Sequence, residues 1–210
     1  MPSTLRNRDD LATKDRLVRV VLELSEDQPI DEIKVEEVLG ASGISTGSLY
    51  HHFEDFGHLI ETAMVERYLE LLRSGELFIQ SALDEAKDLE DVKARVAVVG
   101  GMYAKLNTPG ARFERARILA RAERSERLAR ILGRAQQDFT DSLTEMFERA
   151  QQEGGWINPA LNPRAIAVFI QAYTFGRLID DITPNPMSQD DWMDLVNAFF
   201  IGTVVSQPED

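Results

Sequence analysis

No cysteine occurs among the 210 residues, which excludes disulfides, thiolate metal sites and a cysteine nucleophile. The opening stretch, MPSTLRNRDDLATKD, has no apolar core of the signal-peptide kind. No later run approaches the roughly 18 apolar residues of a membrane span. These absences predict a chain that works in a reducing cytoplasm with no membrane partner. Period-two alternation is nowhere sustained, no Asn-Gly hairpin turn appears, and there is no internal repeat. A glycine-rich phosphate loop and a motif-fixed acid pair are both missing, so neither catalysis nor a cofactor is expected. Positive charge is also short: 36 acidic residues face 23 basic ones, for a net charge of −13.

What is present is helical periodicity. Hydrophobic residues make up 43 % of the chain and charged residues 28 %, the balance of an ordinary globular protein. From residue 56 the apolar positions are Phe56, Leu59, Ile60, Ala63, Met64, Tyr68, Leu71 and Leu72, then Phe78, Ile79 and Ala82. That i, i+3, i+4, i+7 stripe predicts one amphipathic helix of about 25 residues. Leu128 to Ala150 repeats the pattern before Gly154-Gly155. Asn162-Pro163, an N-cap followed by proline at the first helical position, starts a further helix through RAIAVFIQAYTFGRLIDDI. The last begins near Ser188. The expectation is an all-α fold of about nine helices.

In the N-terminal third, residues 12–25 read as a helix with Leu17, Val18, Val21, Leu22 and Leu24 on its buried side, broken by DQPID. KVEEVLGA is a short second helix, and SGI a tight turn whose Gly43 supplies a positive φ. STGSLYHHF follows, with Ser45 as its N-cap. Two short helices across a three-residue turn containing glycine form the helix-turn-helix pattern, whose second helix enters the major groove. Leu49 and Phe53 lie four apart and share a face toward Val35, Val38 and Leu39. Thr46, Gly47, Ser48, Tyr50, His51 and His52 are left around the open side, where Thr46 and Ser48 can reach base edges or a phosphate.

The stretch IKVEEVLGASGISTGSLYHHF, followed by a long amphipathic helix in an all-helical chain of this length, resembles the TetR family of transcriptional regulators. The match lies over residues 12–65: the Val35/Val38 pair, Gly43 in the turn, and Gly47-x-Leu49-Tyr50-x-x-Phe53. The resemblance implies a homodimeric repressor on a palindromic double-stranded operator, released by a small-molecule effector in the C-terminal domain. It divides the chain into a DNA-binding head, residues 1–55, and an effector-binding and dimerisation domain, residues 56–210. It also implies that Tyr50 and His51 contact the DNA backbone and that the His58 backbone N–H meets a phosphate. Five positions depart from the family pattern. Phe56-Gly57 stands where a phosphate-binding lysine and an acid are usual. Lys34 replaces a capping threonine but offers a phosphate charge, and Leu39 and Ser42 replace alanines.

Residues 1–60 hold six basic and twelve acidic side chains. Residues 42–53 hold no acid, however, and the arm STLRNR is locally basic. Few phosphate contacts predict a shallow dependence of DNA affinity on salt. A competing reading is a helical ligand- or partner-binding dimer whose head has little DNA affinity. Selection from random DNA separates the two, since only the regulator enriches a palindrome.

For an effector pocket the sequence offers Met102, Tyr103, Leu106, Phe113, Phe139, Phe147, Phe169 and Tyr173, each of which also reads as plain core. Arginines of residues 112–130, for example Arg117 or Arg121, are candidates to hold an acidic effector. The plainer reading is a solvated face with Glu123–Arg127 and Glu126–Arg130 pairs. Gly100-Gly101 inside a helical pattern implies close helix packing or a bend beside a ligand. Two C-terminal helices this apolar predict a dimer through residues 163–180 and 188–205, with Phe169, Ile170, Phe175, Leu178, Trp192, Leu195, Phe199 and Phe200 at the interface. His51 and His52 point about 100° apart on a helix and do not converge on an ion, so no metal is expected.

Overall fold

The computed structural model describes residues 3–205, the side chains of 3–10 and of Leu71 excepted. The arginines of the N-terminal arm and the Leu71 position of the apolar stripe lie outside those described side chains. Helices α1 (Ser3–Leu24), α2 (Val35–Ser42) and α3 (Thr46–His52) form the head. Helices α4 (Phe56–Asp84), α5 (Leu89–Leu106), α6 (Pro109–Ala122), α7 (Glu126–Arg149), α8 (Pro163–Gly176), a single turn α9 (Leu178–Asp181) and α10 (Gln189–Phe199) follow. No strand occurs among the described residues. The fold is all-α, as expected.

Most helix starts are set by short polar caps, each satisfying an otherwise free backbone N–H. Ser45, Asp55, Asp88, Thr108, Ser125, Asn162 and Ser188 accept from the backbone two or three residues on. Pro109 and Pro163 occupy first-turn positions, where a missing N–H costs nothing. Two differences from the sequence reading have physical causes. Helix α1 starts at Ser3 rather than near residue 12, since nothing in residues 3–12 breaks a helix. The segment read as one helix over 163–182 ends at Gly176. Arg177 is buried there and donates to the Met187 carbonyl at 2.7 Å and to Gln189, which turns the chain into α9.

Two hydrophobic cores run end to end. The first joins Leu17, Val21, Val38, Leu49 and Phe53 of the head to Leu59, Ala63 and Met64 of α4 and to Ile118, Leu128 and Leu132. It therefore continues well past residue 55. The second gathers Val92, Leu143, Met146, Phe147, Ile157, Ile166 and Val204, and Phe139 of α7 packs against both. Helix α7 packs against α4 and α8, and α5 lies between α4 and α10.

The paired glycines of α5 have different surroundings. A Cβ on Gly100 would come within 2.6 Å of Met193 Cε and 2.9 Å of Asn197 Oδ1 on α10, whereas nothing lies within 4 Å of Gly101. Close packing on α10 is the reason for the first glycine only. Gly101→Ala is expected to stabilise the protein by up to about 1 kcal/mol through helix propensity. Gly100→Ala should lose most or all of that gain, because Met193 and Asn197 must repack. Urea titration of both variants reads the difference, and equal gains would show that α5 and α10 do not pack this closely.

Candidate functional site

Two places collect polar or reactive side chains: the open side of α3 and a cavity between α4, α5, α7, α8 and α10. At α3 the turn is built as its residues require. Gly43 has φ 66°, in the left-handed region that a side chain disfavours. The buried Ser42 hydroxyl accepts the Ile44 N–H at 3.2 Å, which gives the serine at this position a structural task. Ser45 Oγ accepts the Ser48 N–H at 3.3 Å. Lys34 provides no side-chain cap; Glu37 instead accepts the Lys34 N–H at 2.7 Å and leaves the lysine side chain exposed. That hydrogen bond holds the Glu37 carboxyl below its usual range.

Leu49 and Phe53 are sealed in the first core at 0 % and 1 % exposure, while Tyr50 is 50 % exposed. Ser45, Thr46, Gly47 and His51 are exposed as well, and Ser48 is half-buried. Small side chains thus stand at the open start of the helix, with an aromatic hydroxyl and an imidazole one turn later. His58 is placed otherwise. Its backbone N–H donates to Asp55 Oδ1 at 2.6 Å, its Nδ1 accepts the Glu54 N–H, and its ring packs edge-on to Phe53. The N–H that the resemblance assigns to a phosphate is occupied by Asp55.

The acids that follow α3 are tied down by a distant cation. Arg127, at the start of α7, reaches Glu54 at 3.2 Å, Asp55 at 3.1 Å and the buried Glu61 at 2.5 Å, and Ser125 Oγ donates to Glu61 at 2.6 Å. Hydrogen bonds from Arg127 first, and from the His58 backbone second, hold the Asp55 carboxyl below its usual range. Arg127 therefore does not form the expected pair with Glu123; its partners lie across the fold. Gly57 leaves room for the Asp55 carboxylate: a Cβ there would sit 3.0 Å from Asp55 Oδ1, while 3.5 Å to Arg127 Nη2 is an ordinary contact. Phe56, in the place of the family's lysine, packs on the core.

The cavity has a volume of about 530 Å³, inside the range of small-molecule sites. Its walls are mainly apolar, with Leu72, Ile79, Val92, Phe147, Ile157 and Phe200 among them. Of the residues read from sequence as pocket candidates, Tyr103, Phe139, Phe147 and Tyr173 line it. Met102, Leu106, Phe113, Arg117 and Phe169 do not, and Met102, Phe113 and Phe169 are 41 %, 39 % and 42 % exposed. Tyr68, Gln136, Thr140, Gln171 and Arg115 were not foreseen. The Tyr68 hydroxyl donates to Gln136 Oε1 at 2.6 Å, Gln136 Nε2 donates to Gln171, and both glutamine amides reach Thr140 Oγ1. Burial pushes the Tyr68 and Tyr173 phenols up from their usual range.

Arg115 is 4 % exposed. It donates to the Tyr103 hydroxyl at 3.3 Å, to Asn107 Oδ1 at 2.6 Å and to the Thr174 carbonyl at 3.4 Å. Gly75 makes room for the Tyr103 ring, which a Cβ would meet at 3.1 Å. One turn earlier Arg112, 1 % exposed, forms a two-armed pair with Asp181, both bonds 2.5 Å, and also donates to the Asn107 carbonyl. The phase of α6 was readable: Ile118 and Ala122 mark its inner stripe, and three- and four-residue steps back reach Arg115 and Arg112, not Arg117 or Arg121.

At the C-terminal helices, Phe169, Tyr173, Phe199 and Phe200 form one aromatic cluster, with Phe169 and Phe199 centroids 4.9 Å apart. Of the residues expected at a dimer interface, Phe169, Leu195 and Phe199 are exposed, and Leu178 and Trp192 are half-buried. Ile170, Phe175 and Phe200 turn inward to line the cavity. Val168, Ile179, Ile182 and Met187 add further exposed apolar surface.

With this arrangement in view, solved structures align over almost their whole length. A TetR-family transcriptional regulator from Cytophaga hutchinsonii aligns with a TM-score of 0.67 at 16 % identity, covering 95 % of this chain and 98 % of that one. The chain has the TetR fold. NemR of Escherichia coli, in its reduced form, aligns at 0.65 with 13 % identity over 95 % of this chain and 100 % of that one. A Saccharomonospora viridis regulator solved in complex with choline aligns at 0.63 with 14 % identity over 92 % and 98 %. No family model and no curated protein matches the sequence. Within this TetR fold, α2 and α3 are the helix-turn-helix, α4 connects the head to the rest, and the cavity lies in the C-terminal bundle. Among the described residues no helix is long and apolar enough to cross a membrane, and no group of three or more acids and histidines is placed to hold a metal.

Proposed function

We propose that the protein is a homodimeric, cytoplasmic, DNA-binding transcriptional regulator, a repressor released when a small molecule enters the cavity. The observation that carries this reading is the division of α3. Leu49 and Phe53 bury one side, and Thr46, Gly47, Tyr50 and His51 stand open on the other, free of acids. Thr46 and Ser48 read base edges, and Tyr50, His51 and Lys34 contact phosphates, positioning the helix rather than specifying sequence. The exposed band of Val168, Phe169, Leu195 and Phe199 favours a second copy as its cover. Two heads then reach successive major grooves, roughly 34–36 Å apart. Helix α4 runs from the head, past the Arg127 contacts, to Tyr68, Leu72 and Ile79 of the cavity wall. A ligand that fills the cavity favours another head spacing, with a coupling of about 1–3 kcal/mol. The choline complex of the Saccharomonospora viridis protein is consistent with a small-molecule site in this fold.

Selection from random DNA with purified protein tests the reading, and enrichment of a palindrome is the expected result. On the selected site, Tyr50→Phe combined with His51→Ala is expected to weaken binding at least about tenfold, equally across sequence variants. Thr46→Ala and Ser48→Ala should change the preferred sequence instead. The log–log salt slope should be shallow, since few cations line the α3 face. Unchanged affinity in the Tyr50/His51 double variant, or no palindrome, would overturn the proposal and favour the helical ligand-binding dimer.

A further inference from the structure

We propose that the cavity binds an amphipathic monoanion, a carboxylate on an apolar body, and that Arg115 is its charge partner. This rests on the cavity being the effector site and names the class of effector. Arg112 and Arg115 stand one turn apart on α6, and both are almost fully buried. Arg112 has the carboxylate that a buried guanidinium calls for, in Asp181. Arg115 meets only a phenol, an amide oxygen and a backbone carbonyl, and its buried Nε has no partner. Among the described residues Arg115 forms no ion pair.

The surroundings make the unpaired cation more telling. Of the described residues that line the cavity, Arg115 is the only charged one, in a protein whose net charge is −13. Tyr68, Gln136, Gln171 and Thr140 form a closed hydrogen-bonded set. The Tyr103 hydroxyl is held by Arg115 and the Thr174 hydroxyl by the Gln171 carbonyl. Apart from these, Tyr173 and Asn197, the wall is aliphatic and aromatic. An anion with an apolar body matches both features, and in so apolar a site its pairing with a guanidinium is strong. A cationic ligand would meet like charge, and a neutral one would leave Arg115 uncompensated.

Calorimetric titration of the full-length protein, without DNA, tests the inference. The probes are hexanoate, octanoate, decanoate and dodecanoate, their matching alcohols, and the matching alkyltrimethylammonium salts. At least one carboxylate is expected to bind about tenfold or more tightly than its alcohol, the worth of one charge-assisted pair, and the ammonium salts should bind least. Arg115→Met should abolish the preference for the acid and leave alcohol binding intact, while Arg115→Lys should keep part of it. If no carboxylate binds wild type more tightly than its alcohol, the inference is overturned, whether both bind or neither does. That comparison needs no variant, so misfolding of Arg115→Met cannot blur it. Preference surviving in a folded Arg115→Met would overturn it equally. Failure to select a palindrome, or operator binding indifferent to the acid, would instead count against the regulator reading and leave this result standing.

Discussion

Replacing Arg112 with methionine is expected to destabilise the protein by about 3 kcal/mol, because the partner carboxylate is left buried without its cation. For a chain of this length that corresponds to a fall in Tm of roughly 6–12 °C. The pair is sealed on both sides, with the Arg112 side chain 1 % exposed and that of Asp181 3 %. Arg112 also satisfies the Asn107 carbonyl at the end of α5, so one side chain ties α5, α6 and α9 together. Changing both partners, Arg112→Met with Asp181→Leu, should recover most of the loss, since a matched apolar pair avoids desolvating two charges. A remainder of about 1 kcal/mol should persist from the unsatisfied Asn107 carbonyl.

The same pair sets an acid limit. Arg112 holds the Asp181 carboxyl below its usual range. A carboxylate with a depressed folded-state pKa adds stability that is complete above its unfolded value, about 3.9, and is lost as pH falls through the folded one. Wild type and Asp181→Asn should therefore differ most near neutrality, and the difference should shrink as pH falls below the unfolded value and vanish only below the depressed folded-state one. Thermal melts across that range check both parts. A melting temperature of Arg112→Met within 2 °C of wild type would mean that the pair is not closed to water.

Arg127→Ala is the second large effect, expected to cost about 2 kcal/mol. The full penalty for orphaning a buried charge is reduced here, because the Arg127 side chain is 25 % exposed and partly screened. Its consequence is local. Arg127 connects the segment after α3, Glu54 and Asp55, to the start of α7. Amide exchange over residues 53–61 should quicken in the variant while the cavity region stays protected. Arg127→Lys should rescue little, since one ammonium cannot serve three carboxylates as a forked guanidinium does. Gly57→Ala should produce a weaker form of the same change, through its approach to Asp55. Unaltered exchange over residues 53–61 in Arg127→Ala would remove the clasp from the account of the head.

The head was readable in the chain because its structure is local. Gly43 was assigned a positive φ, Ser45 a capping role, and Leu49 and Phe53 a shared buried face; all three depend on neighbours within four residues. The same holds for Asn162-Pro163 and Ser188, whose caps act over two or three residues. The cavity was only half readable. Aromatic residues at helical spacing look alike whether they fill a core, line a void or face solvent, so Tyr103 and Tyr173 were grouped with Met102 and Phe113. Arg115 sits on the inner stripe of α6, apart from Arg117, and the phase set by Ile118 and Ala122 is the signal that separates them.

Charge shows where sequence reading stops. Counted along the chain, the head is acidic, and Glu54 and Asp55 sit directly after α3. In the folded protein both are paired with Arg127, more than 70 residues away in sequence. Composition, helical class, the turn chemistry and the buried face of α3 were determined by the sequence itself, through backbone geometry and side-chain periodicity. Which cations meet which acids, which buried arginine faces the cavity without a carboxylate, and where that cavity opens were decided only by tertiary structure. Coulombic pairing and void space depend on distances between segments, and no local pattern encodes those distances.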